Sequence, residues 1–169
     1  SSTVESASCR AVRGGVAYFT TRSNGAPLLW GMHNAGARKG VMNNSHSSSI
    51  SVKSAATTDS AFALLSYDGT VTTVGELAGL TYDTNAGIPK TAVVFPNNAA
   101  LLAGGIEFVS ATESAFAASL GSNGVVCWGD PLTGAGNDCV VALEGEGTRV
   151  VDIVASRGAF CARTSSGSV

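Results

Sequence analysis

The feature that most constrains this chain is a segment that occurs more than once. DSAFALLSYDGTVTTVGE begins at Asp59, ESAFAASLGSNGVVCWGD at Glu113 and RGAFCARTSSGSV at Arg157. Anchoring each copy on the aromatic residue of an Ala-aromatic pair gives Tyr18, Phe62, Phe116 and Phe160, at spacings of 44, 54 and 44 residues. From each anchor to a turn glycine (Gly25, Gly69, Gly124 and Gly167) is 7, 7, 8 and 7 residues. From there to the next glycine (Gly31, Gly75 and Gly129) is 6, 6 and 5. Two internal distances recurring together mark a repeat architecture, in which each unit covers its neighbour's apolar face.

Within a copy the residue types dictate strand, turn and strand. Residues 61–66 and 115–120 are short, apolar and rich in small side chains, as in a strand packed on both faces. Asp68-Gly69 and Asn123-Gly124 read as two-residue hairpin turns, since glycine and asparagine accept positive φ; Asn24-Gly25 and Ser166-Gly167 make the same corner. Residues 125–128 return as a second strand, and residues 106–111 and 150–155 supply a preceding one. The expected fold is all-β, built of tandem antiparallel units of three or four strands in one domain, 1–169. The units fall near 1–48, 49–105, 106–149 and a partial 150–169. Residues 31–49 and the proline-containing 75–105 read as connectors, with 99–105 as a single short helical turn. No long amphipathic helix is present in the pattern.

Composition narrows the function classes. Charged residues are 13% of the chain against 44% hydrophobic, with a net charge of -2. That is about half the usual charged fraction of soluble domains. Scattered basic residues on a slightly acidic chain argue against a nucleic-acid footprint. No apolar run reaches the roughly 18–20 residues of a membrane-spanning helix. The chain starts Ser-Ser rather than Met, without a basic-then-apolar leader, and reads as a processed or excised piece. Four cysteines and few lysines favour an oxidising compartment, extracellular or at the cell surface. Asn43 in Asn-Asn-Ser is a glycosylation sequon that fits the same setting. The competing reading is four reduced cysteines acting as small apolar residues.

Chemistry finds little support. His33 and His46 lie in Asn/Ser/Gly-rich sequence, and no Cys-x-x-Cys spacing accompanies them, so neither a metal nor a cofactor is expected. Asp130, Asp138, Glu144 and Glu146 are carboxylates without a partner motif, and read as solvated groups. No catalytic residue is assigned, and the chain reads as a non-enzyme.

The segment GIEFVSATESAFAASLGSNGVVCWGD resembles the repeat of the regulator-of-chromosome-condensation family, which runs strand, small-residue strand, glycine hairpin, then a strand ending Trp-Gly. The matching positions are Ala115, Phe116, Gly124, Val126, Trp128 and Gly129. The second copy matches at Ala61, Phe62, Asp68, Gly69, Val71 and Gly75, with Val74 in place of tryptophan. The first keeps Asn24, Gly25, Trp30 and Gly31, and the fourth stops at Val169. The resemblance implies a β-propeller that binds proteins. It also implies seven blades, whereas three and a half units are present. The glycine-histidine found in many members before the core strand is absent, and no exchange-factor residues map onto the chain.

An incomplete ring leaves an open sheet edge at Ser168 and Val169, and open edges recruit strands. The segment 3–9, with Val4 and Ser6, is a strand able to fill it within the chain or between chains. Three readings follow: self-assembly, a piece of a longer repeat protein, or internal closure. Trp30 and Trp128 either pack between units or serve as exposed anchors. Cys127 and Cys139 close a short loop suited to a disulfide. Related secreted repeats imply that Cys161 faces a cysteine on a following strand, a place Cys9 would take. The favoured function is a self-assembling structural protein, its partner another copy of itself. The alternative is a propeller segment that binds a different protein through residues 31–49 and 81–98.

Overall fold

The computed structural model describes residues 51–59, 61–75, 104–136, 139 and 148–168. The backbone alone is described for residues 74, 75 and 123 and for two further strands at 17–21 and 27–31. Ten strands lie in this part of the chain: β1 (Ala17–Thr21), β2 (Pro27–Gly31), β3 (Val52–Thr57), β4 (Ala61–Ser66), β5 (Val71–Gly75), β6 (Val109–Ala111), β7 (Ala115–Ser119), β8 (Val125–Gly129), β9 (Val150–Ala155) and β10 (Phe160–Thr164). They form four separate antiparallel sheets, β1-β2, β3-β4-β5, β6-β7-β8 and β9-β10. Every pairing joins strands adjacent in sequence, the meander expected from the hairpin signals.

Register shows that the units are copies in space. Ala17 pairs with Gly31, Ala61 with Gly75 and Ala115 with Gly129. One step on, Tyr18 faces Trp30, Phe62 faces Val74 and Phe116 faces Trp128. On the other side of the inner strand, Phe62, Phe116 and Phe160 pair with Thr57, Ala111 and Ala155. The glycine opposite alanine has a steric cause. Gly129 has φ +120°, and a Cβ there would lie 2.5 Å from the Ser114 carbonyl oxygen and 2.6 Å from Ala115 Cα.

A second recurring device is a corner before each inner strand. The hydroxyl oxygens of Thr58, Thr112 and Ser156 accept the backbone N–H of Ala61, Ala115 and Ala159 at 3.0, 3.1 and 3.1 Å. The N–H of each corner residue donates to the same alanine's carbonyl at 2.9 Å. Each corner thus satisfies backbone groups locally where the ladder cannot reach.

The core lies between sheets. Every residue of β4, β7 and β8 is buried, and β7 and β8 have a neighbouring unit on both faces. One cluster joins Ala61, Ala63 and Leu65 to Phe116, Ala118, Val126 and Trp128 across the second and third units. The Trp128 ring stacks on Phe116 at 5.3 Å, and its Nε1–H donates to Thr73 Oγ1 in the preceding unit at 3.2 Å. Another cluster joins Ala117, Val125 and Cys127 to Val150 and Ile153 of the fourth. Alternation along β7 sends Phe116 and Ala118 one way and Ala117 the other, so the strand serves two interfaces.

Several local expectations are corrected. The turns at Gly69 and Gly167 are three-residue loops: Gly69 N–H bonds the Ser66 carbonyl and Ser66 N–H the Thr70 carbonyl, and Thr164, Gly167 and Ser168 repeat the pattern. Only the final glycine takes positive φ, +81° at Gly69 and +87° at Gly167, which is a type I turn followed by a left-handed glycine. Asp68 stays right-handed and accepts the backbone N–H and hydroxyl of Thr70 at 2.9 and 2.7 Å, which holds its carboxyl below the ordinary aspartate range. Between β7 and β8 a 3-10 turn, Gly121–Asn123, replaces the two-residue Asn-Gly corner. It adds the one residue by which the third copy is longer, and Gly121 and Gly124 carry positive φ, +62° and +104°. Of the strand expected over 106–111, Val109–Ala111 pair regularly with β7, Glu107 N–H and the Phe108 carbonyl still bond Ser119, and Ile106 N–H instead bonds the Gly69 carbonyl of the neighbouring unit at 3.1 Å. Of residues 99–105, only Gly104 and Gly105 are described, and neither is helical.

Trp128→Ala should lower the unfolding free energy by about 3–5 kcal/mol, as for other buried large-to-small changes. Exposed Tyr67→Ala should stay within about 0.5 kcal/mol. Urea denaturation followed by circular dichroism measures both.

Candidate interaction surface

The fourth unit departs from the other copies. Phe62 and Phe116 are 0% exposed, whereas Phe160, at the same register position, is only half-buried. β10 alternates half-buried and exposed residues up to Thr164, where β4 and β7 are buried throughout. Among the described residues β10 pairs with β9 alone.

Beside β10 lies a cavity of about 710 Å³. Its walls include Val125, Cys139, Val150, Ile153, Phe160 and Ala162, so it is predominantly apolar and lies between the third and fourth units. In the third unit, Trp128 occupies the place opposite the anchor phenylalanine. The loop after β8 forms one wall. Asp130 caps the 3-10 turn Pro131–Thr133 by accepting Leu132 N–H at 2.9 Å, so this carboxylate has a local structural role. Gly134 packs on Phe160, where a Cβ would meet the ring at 2.9 Å.

Cys127 and Cys139 are joined in a disulfide with Cα atoms 5.7 Å apart, which ties this loop to β8. Cys161 is a free, exposed thiol. The other face of β9-β10 points away from the third unit and carries Val154, 55% exposed, beside Cys161, with exposed Asp152 and Arg163 in register next to them. At one end of the unit, both Arg157 Nε and Nη2 donate to the Glu113 carboxylate, the Nη2 bond at 3.2 Å. This pairing raises the Arg157 pKa further.

The sequence-derived sites are distributed as follows. The anchors Phe62, Phe116 and Phe160 and the indole of Trp128 lie in or beside the inter-unit core, and Tyr18 and Trp30 face each other in the β1-β2 register. Ser168, expected to begin an assembly strand, instead gives its carbonyl to Thr164 N–H and closes the turn. Cys9, Asn43, Val4, Ser6, Val169, Gly25, both histidines, Asp138, Glu144, Glu146 and the two proposed binding loops lie outside the described residues. The corner residues Thr58, Thr112 and Ser156 were missed by sequence reasoning, although each stands three residues before the alanine of its copy.

No protein-family model matches the chain, and no curated protein matches it in sequence. The crystal structure of human WBSCR16 is similar to it, with a TM-score of 0.57 at 18% identity, over 89% of this chain and 43% of that one. The likeness is one of fold. The chain spans less than half the length of that protein. Tandem antiparallel units in an open, propeller-like, all-β arrangement describe the architecture. The disulfide and the absence of any described helix able to cross a membrane are compatible with an extracellular setting.

Breaking the Cys127–Cys139 bond should cost about 2–4 kcal/mol, the usual range for a native disulfide. Cys161→Ser should leave stability unchanged. Denaturation with and without reductant distinguishes the two.

Proposed function

We propose that this chain is a non-enzymatic, self-associating structural protein of an oxidising, extracellular compartment, built from repeats of the regulator-of-chromosome-condensation type. One observation carries the reading: the same inner strand is buried in the second and third units and half-bare in the fourth. The pairings of Phe116 with Trp128 and Ala115 with Gly129 support the repeat type, since both belong to the motif that the resemblance rests on.

Covering apolar area returns about 25 cal/mol per Å². The fourth unit presents Phe160, Ala162 and Ile153 around a cavity, beside a strand edge that has no partner among the described residues. Both features favour association with another polypeptide over exposure. The low charged fraction of 13% points the same way, because little electrostatic repulsion opposes contact between copies.

Analytical ultracentrifugation across roughly a thousandfold concentration range tests the reading. The expected result is mass rising in steps of 16.9 kDa. In a Cys9→Ser background, alkylation of Cys161 should slow as mass rises, since the exposed thiol lies on the unit that becomes covered. A constant mass of one chain at every concentration overturns self-association. A one-to-one complex with a different protein, combined with that constant mass, supports the alternative of a heterologous binding module.

A further inference from the structure

One position in the outer strand of a unit secures the interface with the unit that follows. The register sets Thr73 opposite Ala63 and Cys127 opposite Ala117, so the two residues are equivalent. Thr73 Oγ1 accepts the indole N–H of Trp128 at 3.2 Å, which ties the second unit to the third. Cys127 lies in the core between the third and fourth units, with Ala117, Val125, Val150 and Ile153, and its sulfur is bonded to that of Cys139. Cys139 packs against the same core. A hydrogen bond therefore serves at the first interface where a covalent bond serves at the second.

The loop that carries Cys139 is fastened by two kinds of chemistry. Its root is hydrogen-bonded: Asp130 N–H donates to the Ser114 carbonyl at 2.9 Å, Ala135 N–H to the Asp130 carbonyl at 3.2 Å, and the Thr112 hydroxyl to the Thr133 carbonyl at 2.7 Å. Its far end carries the disulfide, and there Gly136 and Cys139 line the cavity together with Val125, Val150 and Ile153. Between root and far end, Gly134 sits on the ring of Phe160 in the fourth unit.

We infer that the Cys127–Cys139 bond is a redox-sensitive latch on the interface between the third and fourth units. Oxidised, it holds the far end of the loop against the inter-unit core. Reduced, the root stays in place while the far end turns away at Gly134 and Gly136, and β9-β10 loses cover on the side of the third unit. The interface between the second and third units, secured by Trp128 and Thr73, does not respond. Cys139 is the sulfur open to attack, because it borders the cavity, whereas Cys127 is only 8% exposed. A dithiol supplies the two electrons. Its thiolate bonds to Cys139 Sγ, the protein S–S bond breaks, and Cys127 leaves as a thiolate that takes up a proton. The second thiol of the reductant then closes on the first, releasing Cys139 as a thiol and leaving a cyclic disulfide. The latch lies within one chain and acts whether or not copies associate.

The test uses the full chain at a concentration where it is a single copy, in a Cys9→Ser, Cys161→Ser background that leaves Cys127 and Cys139 as its two cysteines. Amide hydrogen exchange is followed strand by strand, with and without dithiothreitol. On reduction, amides of β9 and β10 should exchange at least about tenfold faster, and those of β4 and β5 should change by less than about twofold. Cys139→Ser in the same background should show the fast pattern in both conditions. Equal acceleration of β4, β5, β9 and β10 would make the bond a staple of the whole fold and overturn the latch. Unchanged exchange in β9 and β10 overturns it too, as does a bond that dithiothreitol fails to open in the folded chain.

Discussion

Burial of one strand by two neighbours is the constraint on which the rest of the structure depends. An antiparallel sheet usually covers one face and wets the other. Here β4 and β7 are buried at every residue, and β7 has a further sheet against each side. This explains the composition of those strands. Ala61, Ala63, Ala115, Ala117 and Ala118 keep the sheets close, while Phe62, Leu64, Leu65 and Phe116 fill the spaces between them. The fourth unit, which keeps its phenylalanine in the same register, is half-buried along the strand. The sequence of a unit sets its shape, and its neighbours set its burial.

Close packing demands that backbone groups be satisfied at the ends of each strand, where no ladder reaches. The hydroxyl corners at Thr58, Thr112 and Ser156 do this within a unit. The directional bonds from Asp59 to Glu113 and from Glu113 to Arg157 do it between units. Glycine opposite alanine at 129 then lets the third strand approach closely enough for Trp128 to stack on Phe116. These parts are interdependent. A bulkier residue at 129 would displace the tryptophan, and with it the hydrogen bond to Thr73 in the preceding unit.

Much of this was legible in the residues, for reasons that differ by element. β4, β7, β8, β9 and β10 show in the recurring Ala-aromatic and glycine spacings, because those positions answer to steric demands that few residues meet. β3 was not named, since Val52–Thr57 is mostly small and polar and lacks an apolar run; its pairing with β4 holds it in place. Turn length was misread because Asp-Gly and Asn-Gly fit a two-residue hairpin as well as the final two positions of a longer loop. The 3-10 turn at Gly121–Asn123 had no signal beyond the extra residue in that copy's spacing. The cavity beside Phe160 was foreseeable only as an open edge, since its apolar walls come from a loop tied back through Cys139.

The account therefore rests on neighbours rather than on intrinsic strand preference, and hydrogen exchange at low concentration tests it most directly. Amide protection tracks the free energy of local opening. If neighbour burial sets stability, amides of β4 and β7 will exchange only with the whole fold, and those of β10 at least about a hundredfold faster. Raising the protein concentration should then slow β10 selectively. Equal protection of β4, β7 and β10 in the dilute, single-chain form would contradict the account, because each strand would then owe its stability to its own sheet alone.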